Sequence, residues 1–349
     1  MDSRLLITQI LLGAFGVLAV ATGKPELAIE HSVRILLGLF ISILVGRLTA
    51  NTIVRLSPYA YLLTLILLIA VVIWGSSPEG SESKRWLIIG GFGLQPSDFM
   101  KVVVIAYLAA FFYNHLGNWQ IWRPMVVVGF AAGLIVAQPD VSTAAFIFAL
   151  AFAIMLAAGT SLARLLAIST SAALIALLLA GSYLSQFEYI GDRFSGYIDF
   201  ITTQEKSENL SFQAVMARRT LQRSGFFGIG PGHLNRVPES WPDMVAINIA
   251  QSLGLTGITT LIILYVLVAT RGLFIASRLR GPGSLLAAGA TTYICGQAGL
   301  NLLVSAGLIP VTGIPLPFVS YGFNSMISAS IAVGFIHSGY RALKTETKQ

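Results

Sequence analysis

The sequence predicts an all-α polytopic membrane protein, with ten transmembrane helices and a large extracellular loop between helices seven and eight. Hydrophobic residues make up 55% of the chain and charged residues only 11%, whereas soluble domains average about 25% charged residues. The mean hydropathy is +0.79. Apolar residues also fall into runs long enough to cross a bilayer. These observations exclude a soluble globular class.

A spanning helix needs about 20 mostly apolar residues, and the chain offers ten such segments. Their ranges are 3–22, 34–50, 57–75, 96–115, 124–138, 141–158, 161–186, 244–270, 284–306 and 319–340. The first run is too long for a signal peptide and lacks a cleavage site, so it counts as a span. Residues 1–349 therefore form a single transmembrane domain.

The distribution of charge predicts the orientation. With both termini in the cytoplasm, most basic residues of the short loops lie inside and most acidic residues lie outside. This is the positive-inside pattern of a multi-pass protein of the cell inner (cytoplasmic) membrane. The net charge of +7 therefore reflects topology, and no nucleic-acid partner is expected. Cys295 lies in an apolar run, where a small packing residue is expected.

The large loop covers 187–243, and long loops in compact proteins are usually functional or disordered. Within it, "LSFQAVMARRTLQRS" predicts an amphipathic interfacial helix over about 210–224, followed by a glycine-rich turn. Arginines of this loop either contact anionic lipid head groups or hold a pyrophosphate. They are Arg193, Arg218, Arg219 and Arg223.

Asp243 stands at the end of the loop, immediately before an apolar run. In one interpretation Ser240 caps a helix and Asp243 is its third residue, next to the positive end of the helix dipole. In the other, Asp243 is a general base at the mouth of a cavity. The local pattern alone slightly favours capping.

A second candidate lies in "RWLIIGGFGLQPSDFMK", 85–101. Asp98 and Lys101 are three residues apart and share a helix face. They form either a plain structural pair, or a pair in which Lys101 binds an anionic group and Asp98 holds the lysine in place.

The third candidate is "GLIPVTGIPLPFVSYGFNSM", 307–326, where prolines and glycines interrupt two apolar runs. Irregular backbone at membrane depth is tolerated where it is buried in protein or lines a cavity. Ser320 and Asn324 could offer hydrogen bonds to a ligand there, and a structural turn is the alternative.

Together these segments resemble the SEDS family (shape, elongation, division and sporulation), which includes FtsW, RodA and SpoVE. The resemblance rests on four segments in family order, which are 85–101, "DRFSGYIDF" at 192–200, 212–244 and 309–326. It implies a peptidoglycan glycosyltransferase that polymerises lipid II outside the cytoplasmic membrane. The family's essential acid falls on Asp243, in Pro238–Asp243, and its paired acid and lysine fall on Asp98 and Lys101.

The resemblance also implies partners: a class B penicillin-binding protein as transpeptidase, lipid II, membrane lipids and other elongation or division proteins. Mg²⁺ or another divalent cation is the expected cofactor, and Lys101, Asp98, Arg193, Arg218, Arg219, Ser320 and Asn324 are the expected substrate-binding residues. Two alternatives remain open, a lipid II flippase and a non-catalytic scaffold for the transpeptidase. The sequence supports a division role and an elongation role about equally.

Overall fold

The computed structural model describes residues 1–77, 84–114, 121–170, 211–231, 233 and 244–346, without the side chains of 211–215, 217, 218 and 346. Its helices are α1 (Ser3–Gly23), α2 (Ala28–Gly46), α3 (Ala50–Trp74), α4 (Pro96–Asn114), α5 (Trp122–Val136), α6 (Val141–Ala157), α7 (Ser211–Ser224), α8 (Val245–Arg278), α9 (Pro282–Ser305) and α10 (Phe323–Glu346). A 3₁₀ turn, Pro25–Leu27, precedes α2, and residues 162–170 are also helical.

Within the described part of the chain, five helices are long and apolar enough to cross a membrane. They are α1, α2 with its preceding turn, α3, α4 and α8. Helices α5 and α6 are apolar but shorter, at 15 and 17 residues. Many apolar side chains of α2 and α3 are exposed, as expected for a surface that faces lipid. The protein is therefore a helical multi-pass membrane protein, as predicted.

Several boundaries differ from the predicted ones. Helix α2 begins at Ala28, six residues before the predicted span, and this additional part carries Glu30, which forms an ion pair with Arg34 one turn later. Helix α10 begins only at Phe323, because the proline-rich turn continues to that point. Of the predicted seventh span, 161–186, only the part up to residue 170 lies within the described residues.

A short antiparallel hairpin precedes α4, and the sequence analysis did not predict it. Strand β1 (Leu87–Ile89) pairs with β2 (Phe92–Leu94), with Ile89 opposite Phe92. Gly90 and Gly91 make the two-residue turn with φ values of 58° and 85°. A turn with two positive φ angles matches the right-handed twist of a hairpin and strongly favours glycine.

Helix α4 is buried along most of its length and packs against α3, α9 and α10. Helices α2 and α10 approach closely through small residues. A Cβ added to Gly38 would lie 2.6 Å from the Ser330 Oγ, and one added to Gly46 would lie 2.7 Å from the His337 Cβ. Small residues at such crossings let the backbones of membrane helices approach one another.

The start of the chain is fixed to the last helices. The Asp2 carboxylate caps α1 by accepting from the Arg4 and Leu5 backbone N–H groups, and it pairs with Arg271 of α8 at 2.6 Å. The Asp2 backbone N–H donates to His337 Nδ1 of α10 at 3.3 Å. The amino terminus and the carboxyl-terminal part of α10 therefore lie at the same end of the bundle.

Candidate active site

The centre of the site is a buried ion pair in the first turns of α4. Pro96 opens this helix, a favourable place for a residue that lacks a backbone donor. Spacing of three residues brings the Lys101 Nζ to 2.7 Å from the Asp98 Oδ1. The two residues are only 1% and 5% exposed. The predicted pairing of Asp98 and Lys101 is therefore present, shielded from solvent, where its field is strong.

Asn324 joins the hairpin to the start of α10. Its Nδ2 donates to the Gly93 carbonyl at 3.0 Å, while no described residue donates to its buried Oδ1. Ser320 accepts from the Leu316 backbone N–H at 2.8 Å. Both residues, predicted to bind substrate, thus use part of their hydrogen-bonding capacity within the protein.

The proline-rich turn is held by buried side chains from two neighbouring helices. Tyr265 of α8 donates to the Pro317 carbonyl at 2.5 Å, Gln297 of α9 donates to Pro315 at 2.7 Å, and Asn301 of α9 donates to Ile314 at 2.8 Å. Phe318 has a positive φ of 66°. This conformation is costly for a bulky residue and persists where its surroundings impose it. The predicted structural role of the turn is therefore present.

Helix α8 is broken near its start. Gly254 has φ 63° and ψ −152°, a conformation almost restricted to glycine. At this break the backbone of 225–230 docks on the helix. Ile229 donates to the Gln251 carbonyl at 2.8 Å, and Leu255 donates to the Gly225 carbonyl at 3.1 Å. The glycine-rich turn after α7 is therefore a docked segment.

The first half of α8 is also fixed to α1. The Ser252 and Thr22 hydroxyls are 2.7 Å apart, and Asn248 donates to the Ala19 carbonyl at 3.0 Å. Residues 244–252 are all buried. The backbone that follows Asp243 is thus held in place by burial and by hydrogen bonds to α1.

Asp243 itself lies outside the described residues, as does Arg193. Helix α8 begins at Val245, after a non-helical Met244. The interpretation in which Ser240 caps a helix and Asp243 is its third residue falls on residues outside the described part of the chain and stays a prediction.

The predicted interfacial helix is present as α7, Ser211–Ser224, within one residue of its expected bounds. Arg219 and Arg223 are exposed on it, whereas the side chain of Arg218 lies outside the described part. These exposed guanidinium groups remain available for an anionic ligand.

Within the described part of the chain, several buried polar atoms on α4 and on the neighbouring helices α9 and α10 have no hydrogen-bond partner, and this was not predicted from the sequence. Among them are the Ser97 Oγ of α4, the Tyr293 hydroxyl and Gln297 Oε1 of α9, and the Asn324 Oδ1 and Ser328 Oγ of α10. A tyrosine in an apolar run gives little local signal, because its partners are set by helix register. Such unsatisfied groups call for a physical explanation.

An apolar groove of about 390 Å³ runs beside the site. Its wall is formed by α2, α3, α4 and α10, from Leu94 and Phe99 at one end to Val45 and Leu48 at the other. The lining is almost entirely aliphatic or aromatic, which suits a hydrocarbon chain.

Among the residues that the structure describes, no group of three or more His, Cys, Asp or Glu side chains could hold a metal ion. Asp98, an acid at the centre of the site, is already paired with Lys101. The described residues therefore do not form a protein cage for Mg²⁺.

Two curated relatives cover most of the chain. "Probable peptidoglycan glycosyltransferase FtsW" of Bacillus subtilis is 32% identical over 79% of this chain and 71% of its own length. The protein of the same name from Allochromatium vinosum is 29% identical over 96% of this chain and 88% of its own length.

Solved structures share the fold. The one described as "Structural coordination of polymerization and crosslinking by a peptidoglycan synthase complex" has a TM-score of 0.80 and 24% identity, covering 98% of each chain. The rod shape determining protein RodA of Thermus thermophilus has a TM-score of 0.71 and 23% identity, covering 97% of this chain and 96% of RodA.

The family described as "Cell cycle protein" matches residues 9–344, nearly the whole chain. The match contains the buried ion pair, the broken helix and the proline-rich turn. The chain therefore belongs to the FtsW/RodA/SpoVE family.

Proposed function

We propose that this protein is a peptidoglycan glycosyltransferase that polymerises lipid II into glycan strands at the outer face of the cytoplasmic membrane. The observation that carries the proposal is the buried Lys101–Asp98 pair beside an apolar groove. The pair belongs to a chain whose relatives in this family are named probable peptidoglycan glycosyltransferases. A cationic site next to a lipid-sized groove suits a substrate with a long hydrocarbon chain and a pyrophosphate.

In this proposal the polyprenyl chain of lipid II lies in the groove between α2, α3, α4 and α10. The groove reaches Leu94 and Phe99, and Phe99 lies two residues from Lys101. The pyrophosphate that follows the lipid chain is thereby delivered to the end of the groove nearest the ion pair.

Asp243 acts as the general base. It takes the proton from the 4-hydroxyl of the acceptor sugar while that oxygen attacks the anomeric carbon of the donor. The bond between this carbon and the pyrophosphate oxygen breaks, and the anomeric centre inverts. A positioned base typically contributes about 10²–10⁴-fold to such a step. The anchored first half of α8, directly after Asp243, supports this role because it holds the backbone in place.

Negative charge develops on the leaving pyrophosphate. Lys101, closed off from solvent and oriented by Asp98, supplies a fixed positive field in a low-dielectric interior. Exposed Arg219, together with Arg193 and Arg218, would bind the pyrophosphate with guanidinium forks. Ser320 and Asn324 would shape the adjoining wall.

The deciding experiment is polymerisation of purified lipid II, with Asp243→Ala compared with wild type. We expect glycan strands from wild type and none from the variant, with matching thermal stability and detergent elution. Asp243→Glu is a control that keeps the carboxylate. Full activity of Asp243→Ala would remove the base from the mechanism.

The same preparation in vesicles separates the alternatives. A flippase would move labelled lipid II to the other leaflet without lengthening glycans, and a scaffold would bind the transpeptidase without making polymer. No described contact favours either alternative over polymerisation.

The orientation and the partner belong to this proposal. Both termini would lie in the cytoplasm, consistent with the shared end of Asp2 and α10. A class B penicillin-binding protein would be the partner, consistent with a structural neighbour described as part of a peptidoglycan synthase complex. Identification of the transpeptidase that copurifies with the chain tests this partner and indicates division or elongation.

A divalent cation would bind together with the pyrophosphate of the substrate. Polymer yield measured after EDTA treatment, and again after Mg²⁺ is restored, tests this requirement. Unchanged yield in EDTA would remove the cation from the proposal.

A further inference from the structure

Two buried hydroxyls near the ion pair, the Ser97 Oγ and the Tyr293 hydroxyl, have no hydrogen-bond partner among the residues that the structure describes. Their residues are 1% and 0% exposed. A buried hydroxyl that pairs with nothing is costly, so such groups usually have a ligand, a water or a second conformation as partner. The location of Tyr293 points to one partner in particular.

The register between α4 and α9 places Tyr293 level with the ion pair. The two helices are in close contact where a Cβ on Gly289 would lie 2.7 Å from the Ile105 Cγ2. Because the helices run antiparallel, one turn from that point leads to Lys101 on α4 and to Tyr293 on α9. The Tyr293 ring also lies within electrostatic reach of the Asp98 carboxylate.

Phe146 of α6 holds the ring in this position, with the ring centroids 6.1 Å apart. The Tyr293 ring is therefore held by packing, while its hydroxyl can still donate a hydrogen bond. The Asp98 carboxylate has hydrogen-bonding capacity left too. Its Oδ1 accepts from Lys101, and among the described residues none donates to its Oδ2.

We propose that Tyr293 is a positioning residue whose hydroxyl donates a hydrogen bond to the Asp98 carboxylate, directly or through one bridging water. The bond fixes the carboxylate and, through it, the Lys101 ammonium that faces the developing pyrophosphate charge. Buried waters commonly bridge polar groups of this kind. The catalytic consequence rests on the proposed glycosyltransferase activity, whereas the bond itself does not.

The test is Tyr293→Phe, which removes the hydroxyl and keeps the ring on Phe146. We expect kcat to fall about tenfold, with KM for lipid II within about twofold, because a hydrogen bond to a charged group is lost at the step of charge development. We also expect the unfolding temperature in detergent to fall by about 2–4 °C.

Tyr61→Phe is the matched control. Its hydroxyl donates to the Val127 carbonyl at 2.7 Å, away from the ion pair. This variant should lose a similar amount of thermal stability and keep kcat.

A second comparison tests whether Asp98 is the acceptor of the Tyr293 hydrogen bond. In the Asp98→Leu/Lys101→Met background, Tyr293→Phe should no longer lower the unfolding temperature, because its acceptor is gone. Asp98→Asn, which is isosteric and weakens the bond, serves as a second background. There the loss should be smaller than in wild type.

The outcomes are distinct. If Tyr293→Phe is as active and at least as stable as wild type, the hydroxyl is an unsatisfied core group and the inference is wrong. An equal loss of stability in all backgrounds would also overturn it. If wild type makes no polymer, the proposed function fails, and the thermal comparison alone still decides whether Tyr293 bonds Asp98.

Discussion

Among single residues, the Lys101–Asp98 pair is the most informative. The two charges lie 2.7 Å apart and almost out of contact with solvent. Taking two ions out of water is expensive, and a buried pair often contributes little net stability compared with apolar side chains. A costly arrangement at the membrane-embedded core of an enzyme family is more readily explained by catalysis than by folding.

We expect single and double substitutions of the pair to affect stability and activity differently. Lys101→Ala or Asp98→Ala alone should destabilise the protein by about 3–5 kcal/mol, because each leaves an unpaired buried charge. Asp98→Leu/Lys101→Met should recover most of that stability and remain inactive. Thermal unfolding and lipid II polymerisation measure the two effects. Polymer from the apolar pair would show that the ion pair is purely structural.

The pair could be predicted from sequence, whereas Tyr293 could not. Asp98 and Lys101 are neighbours by helical spacing alone. Tyr293 comes near them only through the close approach of Gly289 to Ile105, almost 200 residues apart in sequence. Local sequence patterns contain no information on how α4 and α9 are aligned along their lengths.

Among the secondary-structure elements, the broken helix α8 connects the parts of the site. Its first half is fixed to α1, its break receives the 225–230 segment, and its second half continues across the bundle. Two glycines, Gly254 on the helix and Gly228 on the docked segment, permit this arrangement. At Gly254 a Cβ would lie 2.4 Å from the Gly228 backbone N and 2.5 Å from the Phe226 carbonyl oxygen.

Gly254→Ala should therefore undock the 225–230 segment. Hydrogen exchange should rise in that segment, and polymerisation should fall at least tenfold if docking of the loop aligns Asp243. Gly299→Ala in α9 is the control, because nothing lies within 4 Å of its added Cβ. Equal exchange rates in both variants would contradict this assignment.

The hairpin before α4 shows what element prediction overlooked. Gly90-Gly91 between two apolar triplets is a recognised signal for a two-residue turn. No strand is predicted there from the sequence, because the run is too short to suggest strands beside the longer helical segments. The kink at Gly254 had no such signal, since the docking segment lies far away in sequence.

At the scale of the whole molecule, Asp2 connects the first helix to α8 and α10. Burial raises the pKa of its carboxyl, but hydrogen bonds from Arg271 and from the Leu5 and Arg4 backbone outweigh burial, so the pKa lies below its ordinary value of 3.8. The ionised carboxylate therefore stabilises the fold above the unfolded-state pKa. This contribution is lost as the pH falls through the lower folded-state pKa.

Asp2→Asn should lower the free energy of unfolding by about 2 kcal/mol at pH 7. Thermal unfolding between pH 3 and pH 7 should show wild type losing stability below about pH 4 more steeply than the variant. Parallel curves would show that Asp2 does not contribute to the acid sensitivity.

The apolar groove gives the second prediction at this scale. Ala60→Trp should fill part of it and reduce kcat/KM for lipid II about tenfold, the loss expected from displacing roughly two methylene contacts. Val126→Trp, on an exposed position of α5 outside the groove, is the control. A short-chain lipid II analogue should be less sensitive to Ala60→Trp than the natural substrate. Equal loss with both substrates would place the lipid elsewhere.

The overall class followed from composition because a bilayer imposes long apolar runs on any spanning helix. Composition does not predict how those helices pack together, because helices of similar hydropathy give no indication of which of them are neighbours. Their packing is set by close approaches such as Gly38 with Ser330 and Gly46 with His337.

The contact between Asp2 and His337 also has a consequence for biosynthesis. The two residues are 335 positions apart, so a ribosome that adds about 5–20 residues per second needs roughly 15–70 s to make the second after the first. During that time α1 must wait in the membrane with its Asp2 backbone N–H not yet bonded to His337. The bundle can therefore close only after nearly the whole chain has been translated, and the last helix inserted completes the anchoring of the first.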